Sequence, residues 1–309
     1  MSGLTRLFLG VDGGQSSTTA VIGDEAGQIL GSGVAGPCYQ VAAAVGGCLA
    51  AACREAGLDP QRVHFAAACF GFSGGPDDRR AIVEELAPAD KLILTTDAAV
   101  ALTGATAGEP GIITIAGTGS IAFGRNATGR TARAGGWGHI FGDEGGAFDL
   151  VRQALRASLR HEEGWGPETA LTKKLMEVAG AASANHLLHL FYTADFPRER
   201  IASYAPLVDQ AASEGDATAR RILENAARQL AGITTAVRGQ LFEKGEPAIV
   251  AYWGGTFRCA RLRDRFRALV ETEPGTQFGP PLYEPAVGAL IEAYRADNLS
   301  PKPVLRSHF

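Results

Sequence analysis

Short apolar runs separated by glycine-rich breaks dominate the first 36 positions. Arg6 to Val11, Ser17 to Ile22 and Gln28 to Val34 are rich in aliphatic and β-branched residues and predict three strands in a meander. Gly36-Pro37 ends that pattern. Apolar residues at helical spacing then predict an Ala-rich helix over Gln40 to Ala56. Further on, His64 to Phe70 reads as a buried strand, Asp77 to Leu86 as a helix, Lys91 to Thr95 as a strand, and a helix opens at Asp97 and runs over Ala98 to Leu102. The order βββαβαβα is complete by the break through Gly111. A second series follows with the same opening: strand Ile112 to Ala116, loop Gly117-Thr118-Gly119-Ser120, strand Ile121 to Arg125 and strand Thr131 to Ala134. The echo predicts a duplicated fold. Beyond it, Gly142 to Arg160 and the long stretch Pro167 to Lys244 are helical, and Ala248 to Trp253 returns to strand. After Gly254-Gly255-Thr256 come an Arg-rich helix over Cys259 to Glu271 and a last helix over Pro285 to Ala296.

Composition narrows the class. The 309 residues suffice for two domains with real cores, and 46% hydrophobic with 20% charged residues is globular composition. A formal net charge of −4 argues against a nucleic-acid or membrane-surface partner. The five cysteines form no CxxC pair and sit in apolar surroundings, as small buried side chains do in a reducing compartment. With no basic-then-apolar leader and no membrane-length apolar run, a cytoplasmic location is expected. Forty glycines are about twice the usual share, which suggests backbone contacts to a ligand.

Chemistry concentrates in a few stretches. Phe8 to Ile22 is a strand that ends in Asp12, passes through Gly13, Gly14 and a run of hydroxyls including Ser16 and Thr18, and continues as a second strand. It fits either an ordinary Asp-Gly-Gly hairpin turn or a phosphate-gripping hairpin with a hydrated divalent cation at Asp12. No Lys-bearing GxxxxGK[ST] loop occurs. The loop Gly117 to Ser120 admits the same two readings, and the pairing of two such hairpins favours a grip on one nucleotide from two sides. Asp97 follows a β-branched strand and opens a helix, where it fits both a helix cap and a base that aims an acceptor hydroxyl in phosphoryl transfer. Gly135 to Gly146 packs six glycines around Trp137, His139, Asp143 and Glu144. An aromatic beside carboxylates suits a sugar, while a capped helix with a core Trp is the plainer possibility. His139 is expected to be a buried, hydrogen-bonded structural residue. Glu162-Glu163 with Gly164-Trp165-Gly166-Pro167 is read as a loop, and the Arg-rich helix as a solvated face.

The motifs VDGG at 11 to 14, FSGG at 72 to 75, TTDA at 95 to 98, AGTGS at 116 to 120, GGWGHIFGDEGGAF at 135 to 148 and WGGTF at 253 to 257 span nearly the whole chain. Together they resemble the N-acetylglucosamine kinase and BadF/BadG/BcrA/BcrD ATPase group of the sugar kinase, Hsp70 and actin-like ATPase superfamily. The resemblance implies a two-lobe ribonuclease H-like α/β fold, with duplicated mixed sheets flanked by helices and a cleft between. The lobes would be residues 1–115, joined by the helix at 285–298, and 116–284, with a hinge near 111–116. It implies ATP and Mg²⁺ as cofactors, a homodimer, and transfer of the γ-phosphate to an amino sugar, N-acetylglucosamine first. On that basis Asp97 is the base and Asp12 holds Mg²⁺ through water. Gly13, Gly14, Ser16, Thr18, Gly117, Thr118, Gly119 and Ser120 bind the ATP phosphates, and Gly254, Gly255 and Thr256 lie by the adenosine. Ser73, Gly74, Asp97, Trp137, Gly138 and Asp143 face the sugar.

Two departures bear on the substrate. The group carries an Asn shortly after the Gly-Pro that ends the third strand, whereas here Cys38-Tyr39-Gln40 follows Gly36-Pro37, so Gln40 is the candidate replacement. The first loop also reads DGGQSST in place of a third glycine and Thr-Lys-Thr. Glucosamine or another hexose is therefore a second acceptor to consider. From different functional classes, an ATPase that activates a partner enzyme and a sugar or ATP sensor with little turnover also fit the pattern.

Overall fold

The computed structural model describes residues 5–75 and 78–304. It divides into two compact units, Met1–Gly111 with Pro280–Phe309, and Ile112–Gly279.

In the first unit, β1 (Leu7–Gly13), β2 (Thr18–Asp24) and β3 (Ile29–Ala35) form the antiparallel meander, and α1 (Val41–Ala56) follows. Strand β4 (Ala67–Phe72) pairs parallel with β1, and β5 (Leu92–Thr96) pairs parallel with β4, giving the sheet order β3-β2-β1-β4-β5. Helix α2 (Arg80–Leu86) precedes β5, and α3 (Asp97–Thr106) follows it. Asp77, where the sequence pattern starts α2, lies outside the described residues.

Both faces of this sheet are covered, so the period of two along β1 sends Leu9 and Val11 into one core and Phe8 into the other. Helix α1 closes the first face; α3 and the last helix of the chain, α12 (Pro285–Ala296), close the second. The helices lie unusually close to the strands. A Cβ at Gly33 would stand 2.1 Å from the Cys48 carbonyl of α1, and one at Gly10 would stand 2.2 Å from the Leu290 amide of α12. Part of the glycine excess therefore serves helix-on-sheet contact rather than ligand loops.

The second unit begins with β6 (Gly111–Ala116), β7 (Ser120–Arg125) and β8 (Thr131–Gly135). A short turn of helix α4 (Gly138–Phe141) and α5 (Ala147–Glu162) follow, then α6 (Ala170–Ala179), α7 (Ala184–Phe191), α8 (Arg198–Ala202), α9 (Pro206–Ser213) and α10 (Ala217–Leu241). The chain then adds β9 (Ala248–Trp253), a 3₁₀ turn over Gly255–Arg258, α11 (Ala260–Val270) and β10 (Thr276–Gly279). Its sheet order, β10-β9-β6-β7-β8, read from the β8 edge repeats that of the first unit: a meander, then two strands added beyond its first member. The duplication read from the sequence is thus real at the level of topology. Strand β10 escaped the pattern because four residues flanked by Gly275 and Pro280 show no alternation. Among the described residues, no helix is long and apolar enough to cross a membrane.

Candidate active site

Register assembles the site of the first unit. Asp12 pairs opposite Gly71, Gly71 opposite Thr95, and Phe72 opposite Thr96, so the carboxyl ends of β1, β4 and β5 lie side by side. The chain leaves that edge at Gly13, Ser73 and Asp97, the place where parallel sheets bind ligands. Backbone bonds tie the first two exits to each other and to the end of β3: Ser73 N donates to Gly13 O at 3.0 Å, Gly14 N to Ser17 O at 2.9 Å, and Cys38 N to Gly14 O at 3.1 Å.

Asp97 is the first residue of α3, and the cap itself is Thr96, whose hydroxyl accepts from Ala99 N at 3.3 Å. The carboxylate accepts from its neighbour Ala98 N at 2.8 Å and from the Ser73 hydroxyl. Burial raises the pKa of Asp97 above the ordinary carboxylate range despite these bonds and the nearby positive charge of Arg79. Asp12 is pushed up to about 7, first by burial, then by the charges of Asp97 and Glu284. A carboxylate crowded by like charges is a donor that a hydrated divalent cation would suit, since the cation reverses the repulsion. Among the described residues no three His, Cys, Asp or Glu side chains form a ready metal cage.

Other first-unit candidates separate into those that face out and those that hold the loop. Ser16 is exposed, and Gln15 Nε2 reaches the Ser73 hydroxyl at 3.4 Å. Gly74 has φ +80° with open space beside it, a conformation that keeps this turn free of a side chain. Thr18, by contrast, is fully buried and its hydroxyl donates to Gly36 O at 2.9 Å, so it fastens the hairpin to the end of β3 and offers no hydroxyl to a phosphate. Gln40 is exposed at the start of α1 and its side chain caps nothing. The buried residue after Gly36-Pro37 is Cys38, whose sulfur lies 3.0 Å from the position a Gly13 Cβ would take.

In the second unit the GGWGHIFGDEGG block folds around the loop Gly117–Ser120. Gly136 N donates to Ser120 O at 2.9 Å, the Ser120 hydroxyl donates to Glu144 O at 2.6 Å, and the first two amides of α5, Ala147 and Phe148, donate to Gly117 O and Thr118 O. The N-terminus of a 16-residue helix thus adjoins the loop, where its dipole favours an anion. Asp143 adopts φ +62° and is 5% exposed. Its carboxylate accepts from Ser120 N and pairs with Arg198 Nη2 at 2.5 Å. Asp143 and Ser120 therefore serve as braces of the loop, and Gly117, Thr118 and Gly119 are its more accessible members. Gly254, at φ +105°, runs so close that a Cβ would stand 2.5 Å from Ala116 O, and the Thr256 hydroxyl donates to Gly117 O at 3.4 Å. The three adenosine candidates accordingly adjoin the second glycine loop.

Trp137 is 63% exposed with the Arg133 guanidinium stacked 4.6 Å from its ring centre, and Gly138 beside it has φ +78°. Ile140 and Phe141 on the same short helix are also exposed. His139, expected to be buried, is exposed and meets Phe148 edge-on at 5.2 Å. Its backbone carbonyl, not its ring, accepts from Arg152. The glycines that flank α4 leave it too short to fold the ring into the core. Sequence reasoning missed two arginines. Arg79 packs against Phe72 and Ser73, and Arg198 braces Asp143 from 55 residues away, a pairing that no local pattern signals.

Comparison with known proteins bears on the family and the fold. The sequence profile of the BadF/BadG/BcrA/BcrD ATPase family matches residues 9–293. The chain is 33% identical over 234 residues to the N-acetylmuramic acid/N-acetylglucosamine kinase of Clostridium acetobutylicum, covering 74% of this chain and 76% of that protein. It is 29% identical to the N-acetyl-D-glucosamine kinase of Dictyostelium discoideum, covering 93% and 98%. A crystal structure assigned as an N-acetylglucosamine kinase from Chromobacterium violaceum superposes with TM-score 0.77 at 27% identity, covering 93% of this chain and 98% of that one. A ROK family glucokinase from Streptomyces griseus, solved with glucose and AMPPNP, shares the fold at TM-score 0.61 and 19% identity, covering 94% and 99%.

Proposed function

The chain belongs to the BadF/BadG/BcrA/BcrD ATPase family, and from that premise we propose that it is an ATP-dependent kinase that phosphorylates N-acetylglucosamine on its 6-hydroxyl. One observation carries the reading. Asp97, at the carboxyl edge of the first sheet, has its pKa raised by burial and accepts from Ser73, as a base needs that must be ionised yet close to the proton it takes.

Asp97 orients the acceptor hydroxyl and accepts its proton as the oxygen bonds to the γ-phosphorus. The bond from that phosphorus to the β–γ bridging oxygen breaks, and ADP leaves. Ser73 holds the Asp97 carboxylate in place through its hydroxyl. The glycine turns at Gly13, Gly14, Thr118 and Gly119 let phosphate oxygens approach the backbone closely, and the dipole of the α5 terminus adds a favourable field. Gly254, Gly255 and Thr256 accommodate the adenosine, and Trp137 with Gly138 covers an apolar face of the sugar. Mg²⁺, when bound through water near Asp12, would neutralise charge on the phosphates. A homodimer acting in the cytoplasm completes the proposal, its assembly to be read by light scattering.

The test is ADP release from ATP across a panel of hexoses and amino sugars, with the product identified by mass. The panel includes glucosamine and N-acetylmuramic acid, the 3-O-carboxyethyl ether of N-acetylglucosamine. Sugar-dependent ADP with a 6-phosphosugar is the expected result. ADP released equally without sugar would overturn the proposal in favour of a partner-activating ATPase.

A further inference from the structure

Gln15 lies in the exposed turn between β1 and β2, at the position where the first loop departs from the third glycine of the group it resembles. Its Nε2 donates to the Ser73 hydroxyl oxygen at 3.4 Å. Ser73 is the first residue beyond β4, and its backbone is held on both sides: its N–H donates to Gly13 O at 3.0 Å, and its carbonyl accepts from Arg79 Nη2 at 3.2 Å. With the backbone fixed, the free coordinate of Ser73 is the rotation of its side chain and hydroxyl hydrogen. The hydroxyl has one hydrogen and two lone pairs, and an ionised carboxylate can only accept. The Gln15 amide takes a lone pair, so the hydrogen goes to Asp97. One chain of donors thus runs from the turn of the first glycine loop, through the FSGG turn, to the base.

A hydroxyl that accepts a hydrogen bond becomes a stronger donor, and in a low-dielectric site that polarisation favours the charged form of the group it feeds. Burial pulls Asp97 the other way, toward the protonated form that cannot take a proton from the acceptor. We propose that Gln15 is a positioning residue that turns the Ser73 hydroxyl toward Asp97 and so keeps the base aimed at the acceptor. This rests on the kinase reading above and adds to the same site a residue that acts through Ser73 rather than on the reacting atoms. The competing role for an amide in this loop is a direct bond to a phosphate of ATP, and the experiment separates the two.

The measurement is the pH profile of kcat/KM for the sugar, together with kcat and KM for ATP, in Gln15→Ala, Ser73→Ala and the double variant. Gln15 is exposed, so its replacement is expected to leave the thermal melt in place. Gln15→Ala is expected to lower kcat about fivefold, the worth of one neutral hydrogen bond. Its acid limb should move to higher pH, because a bond that favours the ionised carboxylate has been weakened. KM for ATP should stay within about twofold of wild type. In the Ser73→Ala background, Gln15→Ala should change neither kcat nor the limb, since the group it acts through is gone. Wild-type turnover and pH profile in Gln15→Ala would show the contact to be incidental and overturn the proposal. A rise in KM for ATP with an unmoved limb would overturn it too, and would assign the amide to the nucleotide. Additive losses in the double variant would likewise sink it, because Gln15 would then act by a route other than Ser73. All three of those outcomes spare the kinase, whereas a wild-type protein that turns over no sugar would remove both.

Discussion

The two glycine loops occupy equivalent places in two sheets of the same topology, yet their surroundings differ. The loop after β1 is fastened by Thr18 and by the exits of β3 and β4, leaves Ser16 exposed, and borders a cluster of Asp12, Asp97 and Glu284 with Arg79 nearby. The loop after β6 is enclosed by the glycine block, by the Asp143–Arg198 pair and by the first turn of α5. The first copy carries ionisable chemistry and the second carries fixed dipoles. Phosphoryl transfer needs both, since the acceptor proton must move while the phosphates stay still.

The largest effect that would break this division is Asp97→Asn. It is expected to lower kcat by about a thousandfold while ATP affinity stays within about threefold, as read by coupled ADP assay and calorimetry. The raised pKa of Asp97 places the acid limb of kcat/KM above the ordinary carboxylate range in the wild type. Turnover near wild type in the variant would take Asp97 out of the mechanism.

On the other side, Gly254→Val must leave φ +105° and push against Ala116 O. It should raise KM for ATP at least about tenfold with a smaller change for the sugar; an unaltered ATP affinity would mean that this stretch lies away from the nucleotide.

Asp143→Ala strips the partner from a largely buried arginine and frees the Ser120 amide. A stability loss of about 3 kcal/mol is expected by denaturant titration. A double-mutant cycle with Arg198→Ala should recover part of it, because removing both partners leaves no buried charge. Full additivity would show that the pair is not a brace.

The smallest effect concerns Asp12 and sharpens the contrast. Its folded pKa of about 7 lies above the unfolded 3.8, so the folded state binds its proton more tightly. Stability from this group is present at low pH, falls as pH rises from about 4, and is fully lost above about 7. Asp12→Asn should therefore stabilise the metal-free protein by about 1–3 kcal/mol at pH 8 and by nearly nothing at pH 4, as thermal melts would show. Mg²⁺ should narrow the difference at pH 8. A stabilisation independent of pH would place the carboxylate outside the like-charge cluster.

Much of this was legible in the chain. Strand runs broken by glycine gave away both meanders, and the echo of VDGG in AGTGS announced the duplication, because turn chemistry and side-chain period are local properties. Asp97 could be singled out by its position between a β-branched run and a helix. The roles within the loops were less accessible. Thr18, Ser120 and Asp143 looked like ligand contacts by residue type, but a hydroxyl or carboxylate beside a glycine loop serves either a ligand or the loop, and only its direction decides.

The order of elements, the two glycine loops and the carboxylates at strand ends were written in the residues alone, because all of them depend on neighbours a few positions apart. Packing settled what remained. Register set Asp12, Ser73 and Asp97 at one sheet edge, α12 lay flat on β1 through Gly10, Arg198 reached Asp143 across 55 residues, and Arg79 packed its guanidinium against the Phe72 ring. Each of these depends on which surfaces meet once the chain is packed, and contact between residues distant in sequence leaves no local periodicity to read.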